Sequence, residues 1–181
     1  EGEAEAVREL AQELKPAIIA LCLADEVVGE ARAWAQTQGS LGSEDEAYVK
    51  GLSRWGEVAL PAASYGVASQ AGETLGADVV GVDLGEGPYL DRYTEQISMW
   101  DLFKRSWWLR KVAKRPPEAE SPEAFCKVFD ARINQGPFQA LEAAREEAIA
   151  EGVSSLAQEG DVLVVLPVAR LAGVKRRLDR V

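Results

Sequence analysis

The chain is predicted to be a mainly α domain carrying one or two short β-strands, on three observations. Apolar residues recur at three- and four-residue spacing over most of the 181 positions. Only two stretches, at about residues 78–83 and 162–166, have the aliphatic character and length of strands. Helix-opening signals, Ser43-Glu44-Asp45-Glu46, Pro88, Ser121-Pro122 and Pro137, punctuate the remainder. The length suits a single domain over residues 1–181, divisible into an acidic helical lobe at 7–76 and a second lobe at 77–181.

Taken in order, Val7, Leu10, Ala11 and Leu14 predict a first helix, and Pro16 starts or kinks the next. Ile19, Leu23, Val27, Ala31 and Trp34 form a ridge at four-residue spacing that predicts helix to about Gln38, where Gly39 and Gly42 break it. Ser43 and Glu46 form a capping box for a third helix, whose face Tyr48, Leu52, Trp55 and Ala59 runs to Pro61. Trp34 and Trp55 are expected to anchor an antiparallel pair. Residues 62–76, small and polar, predict a weak helix, and the strand Asp78–Asp83 follows Gly76. One long helix is then expected from about 89 to 114, stopped by Pro116-Pro117. Phe125, Val128, Phe129 and Ile133 give the next helix its apolar face, and Leu141, Ala144, Ala148 and Leu156 the one after. The aliphatic run Val162–Leu166 reads as a second strand able to pair with the first, and Leu171, Val174 and Leu178 close the chain with a short helix. No fixed-period repeat is present.

The chain carries 20 basic and 30 acidic residues, a net charge of −10, but the balance is uneven. Residues 1–100 hold 18 acidic and 6 basic side chains, residues 101–181 hold 12 and 14. An acidic body with local basic clusters suits a protein partner or a confined anionic ligand, and disfavours wrapping by duplex DNA. No apolar run approaches the length needed to cross a bilayer, so no membrane span is expected. The opening Glu-Gly-Glu-Ala-Glu-Ala has the look of a processing remnant, and no function is assigned to it. With two cysteines, Cys22 between two leucines and Cys126 beside Lys127, a cytoplasmic or otherwise reducing compartment is expected. A Cys22–Cys126 bridge is the alternative. The absence of histidine excludes Ser-His-Asp and Cys-His catalysis and every His-ligated metal site.

Residues 100–115 concentrate three of the five tryptophans and six of the 20 basic residues. At about 100° per residue, Tyr93, Ile97, Trp100, Phe103 and Trp107 share one face, while Leu102, Leu109 and Val112 lie nearly opposite. A helix apolar on two sides is either enclosed by its own chain or meets something else. The residues expected to contact a protein partner or another subunit are Trp100, Phe103, Lys104, Trp107, Trp108 and Lys111. The same segment serves the alternative expectation, a single-stranded nucleic-acid or nucleotide binder. Its anion contacts would come from Arg105 and Arg110, together with Lys175, Arg176 and Arg177 of the C-terminal basic cluster, where the simpler reading is helix-dipole compensation.

Val79-Val80-Gly81-Val82-Asp83-Leu84-Gly85-Glu86-Gly87-Pro88 is the other stretch with chemical promise. Over these ten residues it resembles the first strand and glycine turn of Rossmann-type methyltransferases. It is also similar to the Asp-bearing first strand of ribonuclease-H-like and actin-like ATPase folds. The resemblance implies a metal- or cofactor-dependent enzyme centred on Asp78, Asp83 and Glu86, with Asp83 as the metal or ribose ligand. Residues 89–160 depart from it, since they read almost wholly helical where those folds alternate strands and helices. A strand followed by a turn with solvated carboxylates is the plainer alternative. With no catalytic signature, the sequence favours a non-enzymatic helical interaction or assembly protein, and it names no cofactor.

Overall fold

The computed structural model describes residues 2–34 and 42–180, the side chains of 32–34 excepted. The fold is mainly α, as expected: nine α-helices among the described residues accompany a small parallel sheet. In chain order they are α1 (Gly2–Leu14), α2 (Val28–Trp34), α3 (Ser43–Leu52), α4 (Ala63–Leu75), α5 (Glu86–Gln96), α6 (Met99–Lys114), α7 (Pro122–Ile133), α8 (Pro137–Leu156) and α9 (Val168–Leu178). The strands are β1 (Ile18–Leu21), β2 (Asp78–Gly81) and β3 (Val162–Val165), in the order β2-β1-β3. Both predicted strands form.

The central strand corrects the sequence reading. Residues 18–21 were expected in a helix running to about Gln38; they are β1, followed by a 3-10 turn at Asp25–Val27 and the short α2. All four residues of β1 are buried, so the strand has no polar face whose alternation would betray it. Ile19 and Leu23 satisfy both a four-residue and a two-residue period, and a short apolar run cannot be assigned by period alone. The two predicted strands accordingly do not pair with each other. Each pairs with β1, Ile18 opposite Asp78 on one side and opposite Val162 on the other. Gln38 lies outside the described residues, as does the side chain of Trp34, and with it the expected Trp34–Trp55 anchor.

Alternation along β1 sorts the core into two layers. Ile19 and Leu21 pack with Ala11, Ala31, Ala68 and Ala71 from α1, α2 and α4. Ala20 and Cys22 face the other way, against Ile149, Ala150 and Val153 of α8 and Val174 of α9. Gly76, at φ 70°, ends α4 in the left-handed conformation and turns the chain into β2. A third cluster, remote in sequence from the sheet, joins Ala47 of α3, Leu109 and Val112 of α6 and Phe125, Phe129 and Ile133 of α7. Trp55 falls beyond the end of α3 and tilts against Phe125.

Helix boundaries also differ from expectation, α3 ending at Leu52 rather than running to Pro61 because the chain turns there. Residues 89–114 are not one helix, because Ile97 and Ser98 separate α5 from α6. Ser98 caps α6: its hydroxyl accepts from the Asp101 N–H, and the Asp101 carboxylate accepts from the Ser98 N–H at 3.2 Å. This reciprocal box satisfies two helix-end donors and turns the chain. At α3 the cap is Gly42 rather than Ser43, with the Gly42 N–H donating to Asp45 Oδ2 at 3.1 Å. Ser121 caps α7 as predicted, accepting from the Ala124 N–H at 3.1 Å.

Candidate functional site

The helix α6 has two unlike sides. Leu109 and Val112 are buried, and Trp108 packs with them against Phe129 at 5.7 Å between ring centroids. Nearer the N-terminus, Leu102 joins Ile97, Phe138 and Leu141 in a fourth apolar cluster. On the outer side Met99, Trp100, Phe103 and Trp107 are 81%, 62%, 61% and 62% exposed. Trp100 and Phe103 stack at 5.5 Å with 12° between planes, while the Lys104 and Lys111 ammonium groups each lie 5.6 Å from a tryptophan centroid, Trp100 and Trp107 respectively. These cation–π contacts are solvated and contribute roughly 0.5–1 kcal/mol each. The outer side is therefore an aromatic-cationic surface that the other described residues leave uncovered.

A second arrangement stands where the three parallel strands end. Cys22 follows β1, Asp83 follows β2, and Arg170 lies on α9 just after β3. Arg145 of α8 grips Asp83 bidentately, Nε to Oδ1 at 3.1 Å and Nη2 to Oδ2 at 2.5 Å, and its Nη1 donates to Glu142 at 2.9 Å. Arg170 donates to the other Glu142 oxygen through Nε and Nη2 at 2.9 and 2.7 Å, and through Nη1 to Cys22 Sγ at 3.8 Å. The Cys22 thiol donates to Asp83 Oδ2 at 3.6 Å, closing the ring.

Burial pulls the Asp83 carboxyl upward, but the Arg145 hydrogen bonds and charge outweigh it and hold the group below the usual carboxylate range. Burial lowers Arg145 in turn, and Asp83 more than restores it. Cys22 responds mainly to burial, which pushes its thiol up to about 11. The raised value keeps it protonated, as its donation to Asp83 requires.

Beside this network lies a cavity of about 280 Å³, reached by side chains of α3, α5, α6, α7, α8 and α9. Tyr89, Tyr93 and Phe138 contribute rings, and Arg105 enters from α6 with its guanidinium 4.5 Å from the Phe138 centroid. Arg105 donates to Glu44 at 2.6 Å, while its Nε is buried without a partner among the described residues. Asp130 accepts from the Asn134 amide at 2.9 Å. Burial raises the carboxyls of both Glu44 and Asp130, with Arg105 opposing it at Glu44 and the charge of Glu142 adding to it at Asp130.

The expected site residues separate accordingly. Trp100, Phe103, Lys104, Trp107 and Lys111 share the outer side of α6, whereas Trp108 turns into the core. Arg110 is exposed on the same helix, while Arg105 faces the cavity. Lys175 and Arg176 are exposed on α9, but Arg177 is bound by Glu146 and by the carbonyls of Ala143 and Gly173. The structure does not bring Asp78, Asp83 and Glu86 together. Asp78 opens β2, Asp83 lies past its far end, and the Glu86 N–H donates to Glu26 at 2.8 Å at the start of α5. Among the described residues no three acidic or cysteine side chains are grouped to hold a metal ion.

Sequence reasoning missed Glu142, Arg145 and Asp130. A charged pair three apart, Glu142 and Arg145, set between Leu141 and Ala148 on a helix read for its apolar face, was the available signal. No helix among the described residues is long and apolar enough to cross a membrane. Comparison with known protein families, curated proteins and solved structures finds no match, so the geometry alone carries the functional reading.

Proposed function

We propose that the protein is a non-enzymatic assembly module that binds a second copy of itself, the outer side of α6 on one copy meeting the flank of α1 on another. The exposure of Met99, Trp100, Phe103 and Trp107 on one helix carries this reading. Enclosing a large apolar side chain contributes about 1.5–3 kcal/mol, and contiguous exposed apolar surface marks interaction sites.

The complement is found on the same molecule. Leu10 and Leu14, four apart on α1, are 46% and 57% exposed, and Glu9 and Glu13 stand beside them. The exposed charges of α6 are Lys104, Arg110, Lys111 and Lys114. Its one carboxylate, Asp101, is engaged by the Ser98 cap. Two α6 faces meeting each other would oppose like charges, whereas α6 against α1 pairs cations with carboxylates around an apolar centre. Such a contact is heterologous, so each copy keeps a free donor and a free acceptor face and assembly continues into a ring or chain.

Single-stranded nucleic acid suits this surface less well. Arg105 and Arg177, two of the cations that reading needs, are held by Glu44 and Glu146. One ring face is already spent in the Trp100–Phe103 stack.

Sedimentation at rising concentration tests the proposal. Mass should increase with concentration and fall at high salt, and Trp107→Glu or Leu14→Lys should each yield a folded monomer. Mixing the two variants should restore one junction, a heterodimer, because each keeps the face the other lost. A wild-type chain monomeric at every concentration, or assembly that survives both substitutions, would overturn the reading.

A further inference from the structure

The cavity beside the strand ends is independent of the α6 surface, and its chemistry points to a ligand. In open parallel sheets ligands bind outside the carboxyl ends of the strands, where neighbouring connections diverge. Here β1 is that place: the chain leaves it toward β2 on one side and returns at β3 on the other. Glu142, Arg145 and Arg170 form one wall of the space, with Asp83 holding Arg145 from behind it.

We propose that this cavity binds a small, neutral, hydroxyl-rich molecule of about monosaccharide size. The charge pattern selects against ions. Arg145 is committed to Asp83 and Glu142, Arg170 to Glu142, and Arg105 to Glu44. A phosphate or carboxylate would have to displace an internal carboxylate to gain a guanidinium. An organic cation would enter beside three arginines. What remains uncommitted is hydrogen-bonding capacity of both signs. Among the described residues the buried Arg105 Nε–H has no acceptor, and the Asp130 carboxyl has the Asn134 amide as its side-chain donor.

A hydroxyl group both donates and accepts, so a polyol can satisfy Asp130 and Arg105 together, which a one-signed ligand cannot. The raised Asp130 carboxyl is consistent with a neutral occupant. Tyr89 and Tyr93, with centroids 5.9 Å apart and planes inclined by 30°, offer ring surface to the C–H side of such a molecule. The volume of about 280 Å³ accommodates a molecule of that size.

The test is titration of the full chain, observed by its amide NMR signals, with D-glucose, D-galactose, D-mannose and myo-inositol in turn. Inorganic phosphate and ethanolamine serve as the charged probes. At least one polyol should give saturable shifts clustered on α5, α7 and α8. Asp130→Leu and Tyr93→Leu, on different helices, should each weaken it about tenfold or more while the melting transition is retained. Should one variant fail to fold, the other still decides. Saturation by phosphate or ethanolamine in place of the polyols, shifts elsewhere, or no saturation by any polyol would overturn the proposal.

Discussion

Arg145 holds Asp83 through two parallel hydrogen bonds in a setting where the aspartate side chain is 3% exposed and the arginine 22%. Such a pair fixes geometry more than it adds net stability, because desolvation offsets most of the attraction. Removing one partner is another matter. Arg145→Met should destabilise the fold by roughly 3–5 kcal/mol in urea unfolding, since it leaves a buried carboxylate without its cation. Asp83→Leu combined with Arg145→Met should recover much of that loss. A double-mutant cycle reads the coupling directly.

The tryptophans of α6 should divide by side. Trp100→Ala and Trp107→Ala, measured at concentrations low enough for a monomer, should change stability by no more than about 0.5 kcal/mol, as for exposed positions generally. Trp108→Ala removes a ring packed on Phe129 and should cost on the order of 3 kcal/mol. Acrylamide quenching of the wild type should find Trp100 and Trp107 accessible, and the Trp107→Ala variant should lose part of that accessible emission.

Glycine positions give a sharper local test. A Cβ on Gly81 would stand 2.5 Å from the Asp25 Cα and 2.7 Å from the Leu23 carbonyl oxygen, backbone atoms that cannot rotate aside. The Gly81 N–H also donates to Asp25 Oδ1 at 3.0 Å, so β2 and the turn after β1 are held in close approach. Gly81→Ala should cost about 1–3 kcal/mol. Gly29, inside α2, meets nothing within 4 Å, and Gly29→Ala should stabilise by about 0.5–1 kcal/mol.

How much of this was legible follows from what each signal depends on. The strands β2 and β3 stood out because glycines and helical segments bound them. The Ser121 cap was legible because a cap is a local contact among adjacent residues. β1 was not, because the full burial of its four residues erases the polar alternation that marks a strand. The break at Ile97-Ser98 was written in Ser98 and Asp101 but hidden by an apolar period that continues across it. The outer side of α6 was readable from spacing, since a helix presents its faces by arithmetic. The ion network was not: Cys22, Asp83 and Arg170 are distant in sequence and meet because the parallel sheet aligns the strands they follow, with Glu142 brought to them on α8.

The carboxyl groups around the cavity predict an unusual pH profile. Asp130 and Glu44 have raised values in the folded chain, so folded protein binds their protons more tightly than unfolded protein, whose values are about 3.9 and 4.3. The stabilisation they give is complete below those unfolded values and is lost as pH rises through the raised folded ones. Asp83 behaves oppositely. Its lowered value gives stability present above about 3.9 and lost as pH falls through the folded value. Glu26, held low by the Glu86 N–H, and Asp101 and Glu123, held low by serine hydroxyls, act in the same sense as Asp83. Acidification from neutrality should therefore first raise the unfolding midpoint and then lower it, placing the maximum in mild acid. Asp130→Asn should flatten the neutral limb and leave the acid limb unchanged, and a midpoint that falls steadily from neutrality downward would contradict the assignment of both raised groups.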